Sequence, residues 1–284
     1  MTSLVRRADA GRLPGGRSPR APAVYSRAMQ LAYNRQGIGP TLVLLHPLGA
    51  DRRAWAPVID RLAAERDVIA LDLPGFGGSP VLEGSEPPTP SALATAVGDF
   101  LDGLQLAGRY HVAGNSLGGW VALELAAAGR VLSVTAIAPA GLWPEPLRPK
   151  CSIARKLLGR ALPAVRPLLR IRAVRRLAIG SRVADGARVP PEDALSLVRT
   201  YLTAPGFDAV NAAMRASQFI KLERIQVPVT LVWPDRDELI DAPAHLPPRI
   251  RSATLHDAGH MPMWDAPERV ASVLLQGSSY DNSP

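Results

Sequence analysis

Cysteine is almost missing from this 284-residue chain. Cys151 stands alone, so no intrachain disulfide can form, and no group of Cys and His has metal-ligand spacing. A redox or zinc protein is therefore not expected, and no metal or cofactor is called for. Apolar runs of the ~20 residues needed to span a bilayer are also lacking, as is the apolar stretch of a secretory signal at the start. The expectation is a soluble, cytoplasmic protein. Aromatic residues make up only 5% of the chain, and no zinc-finger or RNA-binding motif accompanies its net charge of +8. That charge is concentrated: residues 1–27 carry +5 and residues 148–188 carry +11, so the remainder is net acidic. A basic leader and one basic internal segment do not amount to a nucleic-acid interface, and no nucleic-acid partner is expected.

What the chain does have is length and apolar content, 47% hydrophobic residues, enough for one large domain with an insertion. Residues 1–22 are rich in Arg, Gly and Pro without periodicity and read as a disordered basic leader. From residue 23 short apolar runs alternate with helical patterns. The runs are TLVLLH at 41–46, DVIALDLPG at 67–75, YHVAGNS at 110–116 and LSVTAIAPAG at 132–141. Helical patterns lie between them. Continuous apolar strands in βαβα order predict an α/β fold with a doubly wound, mostly parallel sheet buried on both faces. The alternation stops over 142–220, where helices are broken by Pro163, Pro167 and Pro190–Pro191. It resumes with VPVTLVWPD at 227–235, SATLHDAGH at 252–260 and a last helix at PERVASVLLQ. Residues 23–141 and 221–284 thus read as one core, and 142–220 as a helical cap inserted into it like a lid.

The segment AGNSLGGW at 113–120 carries the chemistry. A strand ends there and a helix begins at once, which leaves Ser116 at the tip of a sharp elbow where side chains at Gly114 and Gly118 would collide. The same turn aims the Leu117 backbone N–H at an oxyanion formed on an acyl group that Ser116 attacks. A serine hydroxyl needs a base, and the base needs a carboxylate to orient it. His260 follows a short strand and a glycine and precedes the last helix, whereas His46, His111, His245 and His256 lack that setting. The carboxylate belongs on the loop after VTLVW. Asp237 is preferred because it lies deeper in that loop, Asp235 is second, and Asp241 is a third acid nearby. The loop after the first apolar run, HPLGADRRAW, offers the Leu48 N–H as the other oxyanion donor, since Pro47 has none. His46 supports that loop. With Asn115, Met261 and Trp264 it is expected at the substrate pocket.

Taken together, HPLG at 46, DLPGFGGS at 72, GNSLGG at 114, PDRD at 234 and GHMPMWDAPERV at 259 resemble the α/β-hydrolase superfamily over about 30–275. The likeness is to lidded enzymes such as carboxylesterases and meta-cleavage-product hydrolases. It implies Ser116 as nucleophile, Asp237 as acid, His260 as base, Leu48 and Leu117 as oxyanion donors, and a small-molecule acyl substrate. The family usually has His-Gly where this chain has His46–Pro47, and Gly where it has Pro234. Carbon–carbon hydrolases usually place tryptophan where Met261 stands. A serine at the elbow argues against haloalkane dehalogenase and epoxide hydrolase chemistry. The expectation is therefore a carboxylic ester hydrolase, as monomer or homodimer. The alternatives are a carbon–carbon hydrolase, and a ligand receptor or cyclase on the same fold. The basic cap segment reads as helices with a buried stripe and a solvated cationic face; the alternatives are peripheral contact to anionic lipid, or an Arg that meets a substrate carboxylate.

Overall fold

In the computed structural model the described residues are 29–106, 109–148 and 153–279; the leader expected at 1–22, and Cys151, lie outside them. The first elements are strands β1 (Tyr33–Gln36) and β2 (Thr41–Leu45), a 3-10 turn at Arg52–Trp55, helix α1 (Ala56–Ala63) and strand β3 (Asp67–Leu71). Helix α2 (Pro90–Gly103), strand β4 (Tyr110–Asn115), helix α3 (Leu117–Ala127) and strand β5 (Val131–Ile137) follow. Five helices then intervene: α4 (Ile153–Arg160), α5 (Leu162–Leu168), α6 (Arg172–Ile179), α7 (Pro191–Thr203) and α8 (Phe207–Arg215). Strands β6 (Val229–Pro234) and β7 (Arg251–Leu255) and helix α9 (Pro267–Gly277) are the last strands and helix of the described residues.

The seven strands form one sheet in the order β1-β3-β2-β4-β5-β6-β7, parallel except where β1 pairs antiparallel with β3. The connection after β2 runs to β3 and that after its neighbour β4 runs to β5, so the two leave in opposite directions. In open α/β sheets such a switch point opens a crevice at the carboxyl ends of the strands. The loops after β2, β4, β6 and β7 all emerge at that end.

Burial follows the apolar runs. β2 through β6 are almost wholly buried, and α3 is buried along nearly its whole length because it lies between the sheet and α2. A helix enclosed on all sides needs no polar face, which is why LGGWVALELAA has so little periodicity. β1 is the one strand the apolar pattern does not signal. Its residues, YNRQ, are exposed, and Arg35 is fixed instead by a two-pronged ion pair to Asp67 on β3, at 2.7 and 2.8 Å.

Of the inserted helices, α7 and α8 share the core of the sheet most directly. Phe207, Val210 and Met214 of α8 join one apolar cluster with Leu117 and Trp120, while Leu197, Val198 and Leu202 of α7 join the other with Leu44 and Trp55. α7 starts at Pro191 with Glu192 and Asp193 in its first turn, where their charge meets unpaired helix N–H groups. The outer sides of α4–α6 depart from the expected purely cationic face: Ile153, Leu157, Leu158, Leu168 and Leu177 are exposed among the arginines, Leu177 by 88%.

One polar contact pins the insertion to the loop after β2. The Thr200 hydroxyl donates to Asp51 at 2.9 Å, and Asp51 also accepts from the backbone N–H and the guanidinium of Arg53. Burial pushes the Asp51 carboxyl up, but the Arg53 and Thr200 bonds together outweigh it and leave the group below its ordinary value of 3.8. A depressed carboxyl contributes stability above its unfolded pKa and loses it as the pH falls through the native one. Thr200→Val is expected to cost about 1–2 kcal/mol in urea unfolding at neutral pH and less in strong acid. An unchanged midpoint at neutral pH would show that apolar packing alone holds α7 in place.

Candidate active site

Ser116 sits between the last residue of β4 and the first of α3 with φ 56° and ψ −116°. Non-glycine residues rarely take this left-handed region, and the cost is of order 1–3 kcal/mol. Three backbone bonds hold it there: its N–H donates to Ile137 O at 2.9 Å, and its carbonyl accepts from Trp120 at 3.0 Å and Ala140 at 3.1 Å. The glycines beside it are steric necessities. A Cβ on Gly114 would overlap the Gly118 carbonyl, and a Cβ on Gly118 would overlap that of Leu45. The strand-to-helix turn therefore closes only with glycine two positions either side of the serine.

Ser116 and His260 line one cavity of about 370 Å³ between the sheet's carboxyl end and the inserted helices. His260 is 5% exposed, and its Nδ1 lies 2.7 Å from Asp237 Oδ2. A carboxylate can only accept, so Nδ1 carries the proton and Nε2 is left with a lone pair. The second oxygen, Asp237 Oδ1, accepts from Leu239 N at 2.8 Å and Ile240 N at 3.2 Å, which fixes the carboxylate on the loop after β6. Asp235 has a different partner: its carboxylate meets the exposed His256 at 3.1 Å on the far side of that loop. Of the two acids, only Asp237 is hydrogen-bonded to His260.

Leu48 lines the same cavity, just after Pro47 and before Gly49, which turns the chain with φ 74°. Leu117 is the first residue of α3, so its N–H is one of the four that no carbonyl within the helix can accept. Met261 also lines the cavity.

Three residues expected at the pocket lie behind it instead. His46 is fully buried; its Nδ1–H donates to Pro47 O at 2.8 Å and its Nε2 accepts from Leu73 N at 2.9 Å, so it braces two loops against each other. Asn115 is also fully buried, and its amide donates to Ile137 O at 3.1 Å and His260 O at 2.9 Å, joining the elbow to the histidine loop. Trp264 packs into the apolar cluster under α9. Adjacency in sequence misled for Asn115, because successive strand residues point to opposite faces.

The sequence reading named none of the cavity residues that the insertion supplies. Arg155, Arg182, Tyr201, Phe207 and Trp143 all form cavity wall. Arg182 O accepts from Met261 N at 2.6 Å, and Asp265 accepts from both Gly259 N and Ala184 N at 2.9 Å. The segment around 182–184 thus holds the loop that carries His260. Only the Arg-rich composition hinted at this, since the contacts join residues about 80 positions apart.

Residues 42–273 match the sequence model of the Alpha/beta hydrolase family. The chain belongs to that family. It is 33% identical over 244 residues to the dihydrolipoyllysine-residue acetyltransferase component of the acetoin cleaving system of Pseudomonas putida. That match takes in 84% of this chain and 63% of the Pseudomonas protein, under two thirds of its length. It is 29% identical over 266 residues to the pimeloyl-[acyl-carrier protein] methyl ester esterase of Aeromonas salmonicida, covering 87% of this chain and 98% of that one. Among solved structures, a thermophilic esterase from Thermogutta terrifontis superposes with a TM-score of 0.66 at 26% identity, covering 87% of this chain and 92% of the esterase. Its kinship within the α/β hydrolase family is thus esterase-like. Among its described residues no helix is long and apolar enough to cross a membrane.

The buried His46 makes a pH prediction. Burial lowers its pKa below the ordinary 6.5 more strongly than its bond to Pro47 O raises it, so the native ring stays neutral where the unfolded one takes a proton. Stability from this group is complete above about pH 6.5 and is lost as the pH falls below it. Urea denaturation of wild type against His46→Asn is expected to show this slope in wild type alone. Equal slopes would place the titration elsewhere.

Proposed function

We propose that this α/β hydrolase is a serine hydrolase that cleaves a carboxylic ester or related acyl compound through an acyl-enzyme. His260 Nε2 takes the proton of Ser116 as the hydroxyl oxygen attacks the carbonyl carbon. Asp237 holds the imidazole with Nδ1–H toward it and stabilises the imidazolium. The N–H groups of Leu48 and Leu117 receive the oxyanion, and His260 then gives its proton to the departing alcohol. Water, deprotonated by the same nitrogen, cleaves the acyl-enzyme. The inserted helices serve as a cap that supplies the far wall of the acyl site.

The observation that carries this reading is the 2.7 Å contact of His260 with Asp237, both side chains nearly inaccessible, beside a cavity that Ser116 also lines. The strained serine backbone adds support, because a residue held at φ 56° must be over-determined by its surroundings. Kinship with named esterases favours the ester over the carbon–carbon reading, and Met261 in place of tryptophan favours it too.

A fluorophosphonate probe reacts with an activated serine whatever the natural substrate, and so tests the nucleophile directly. Wild type is expected to be labelled and Ser116→Ala is not, with turnover of p-nitrophenyl esters falling roughly 10⁴- to 10⁶-fold in the variant. Absence of labelling and of turnover in wild type would overturn the proposal in favour of a ligand receptor.

A further inference from the structure

Three arginines, Arg155, Arg182 and Arg215, line the cavity that holds Ser116 and His260, and no Asp or Glu is in its wall. Two of them have evident occupations. Arg155 pairs with Asp208 at 2.9 Å and donates to Leu202 O at 2.9 Å. Arg215 donates through Nε to Arg148 O at 2.7 Å.

Arg182 is different. Its guanidinium carbon lies 4.1 Å over the Tyr201 ring, and among the described residues no carboxylate is within ion-pair distance of it. Stacking uses the face of the guanidinium, and with one bond to Tyr201 the other N–H groups of its planar edge are left for a partner. Asp237, behind His260, offsets one of the two positive charges left by Arg182 and Arg215, so the cavity keeps a positive excess. Arg182 is half-buried in this wall, and a ligand that brings a carboxylate supplies the counter-charge the wall lacks.

We propose that the cavity takes an ester that also carries a free carboxylate, such as a half-ester of a dicarboxylic acid, and that Arg182 binds that carboxylate edge-on. The proposal rests on the serine hydrolase reading and adds its substrate class. Burial lowers the Arg182 pKa from its ordinary value, more than Tyr201 raises it, yet the group remains a cation at neutral pH.

The test compares p-nitrophenyl hemiglutarate with its neutral methyl-capped counterpart, as the ratio of the two kcat/KM values within each protein. Wild type is expected to favour the free acid, and Arg182→Gln to lower that ratio about 10- to 100-fold, with Arg182→Lys between. A general structural role would lower both values together and leave the ratio unmoved, which would overturn the proposal. A measurement on wild type alone guards against a misfolded variant: glutarate is expected to slow fluorophosphonate labelling more than glutaramide does. Equal slowing would count against the arginine, whereas no labelling at all would instead sink the hydrolase reading. Phosphate in a third tube separates carboxylate recognition from attraction of any anion; equal protection by phosphate would overturn the carboxylate assignment.

A second surface carries an independent inference. Residues 153–184 contain nine Arg or Lys and no Asp or Glu. They also hold six of the eleven large apolar side chains that are exposed among the described residues: Ile153, Leu157, Leu158, Leu168, Ile171 and Leu177. Lys156, Arg160, Arg166, Arg170, Arg172 and Arg176 are exposed among them. Pairing with a second copy through this face would bring two cation-rich surfaces together with no Asp or Glu in 153–184 to offset them, which disfavours it. Aliphatic side chains interleaved with cations match the boundary of an anionic bilayer, where the apolar groups enter the acyl region and the cations meet lipid phosphates. We propose that the outer side of α4–α6 docks on anionic membrane.

Co-sedimentation with vesicles tests it. Pelleting is expected with equal parts phosphatidylcholine and phosphatidylglycerol at low salt, weaker at high salt, and absent with phosphatidylcholine alone. Leu157→Ser with Leu177→Ser, both at exposed sites, is expected to reduce it several-fold at unchanged charge. No pelleting at low salt overturns the proposal, and so does pelleting that the serine pair leaves intact, since charge adsorption would then be the whole effect. Binding to an acidic protein but not to these vesicles would likewise overturn it.

Discussion

The turn at Ser116 is the constraint around which the rest of the carboxyl end of the sheet is organised. A non-glycine residue at φ 56° is unfavourable by itself, so neighbouring groups must hold it. The Ile137 carbonyl fixes its N–H, and α3 begins one residue later. Close approach of that helix to β2 requires Gly118, and closure of the turn requires Gly114. Asn115 extends the same constraint to the histidine loop by donating to carbonyls on both sides, Ile137 and His260. Its own carbonyl oxygen is buried without a partner, a cost of about 1–3 kcal/mol that is accepted where the amide's two donor bonds set the geometry.

How far such a site can be read in advance depends on the reach of the interaction that defines each part. The elbow is a local matter: serine, two glycines and the change from strand to helix lie within five residues, and the sequence states all of them. The sheet was legible for a similar reason, since five buried strands write themselves as apolar runs. β1 was not, because an exposed edge strand of Tyr, Asn, Arg and Gln has no such signature and is held by a cross-strand ion pair. The choice between Asp235 and Asp237 is of the same kind. Both acids face a histidine, and only the course of two loops decides that Asp235 meets exposed His256 while Asp237 meets buried His260.

His46 and Asn115 mark a further limit. Each stands beside a site residue in sequence, and each points into the protein, where its polar atoms tie loops together. Proximity along the chain predicts membership of the site's framework and says little about which side chain reaches the cavity. Arg182 is the converse case. It is 66 residues from Ser116 and unremarkable in a segment full of arginine, yet the fold sets it in the cavity wall. What separates it from Arg155 and Arg175 is that their guanidiniums are occupied by backbone carbonyls, whereas its own stacks on Tyr201.

The insertion also bears on how the cavity can open. A cap that swung away as a rigid unit would break the Thr200–Asp51 bond, the Met261–Arg182 bond and the paired bonds at Asp265, and would expose the α7 and α8 residues that belong to the core clusters. Those contacts all fall on α7, α8 and the stretch around 182–184. α4 and α5 lie outside this set, and their outward residues are largely exposed. α4 is tied to α7 and α8 in its own way, through Arg155, which donates to Leu202 O and pairs with Asp208, so displacing α4 against α7 would break those bonds while leaving Arg182, Met261 and His260 in register.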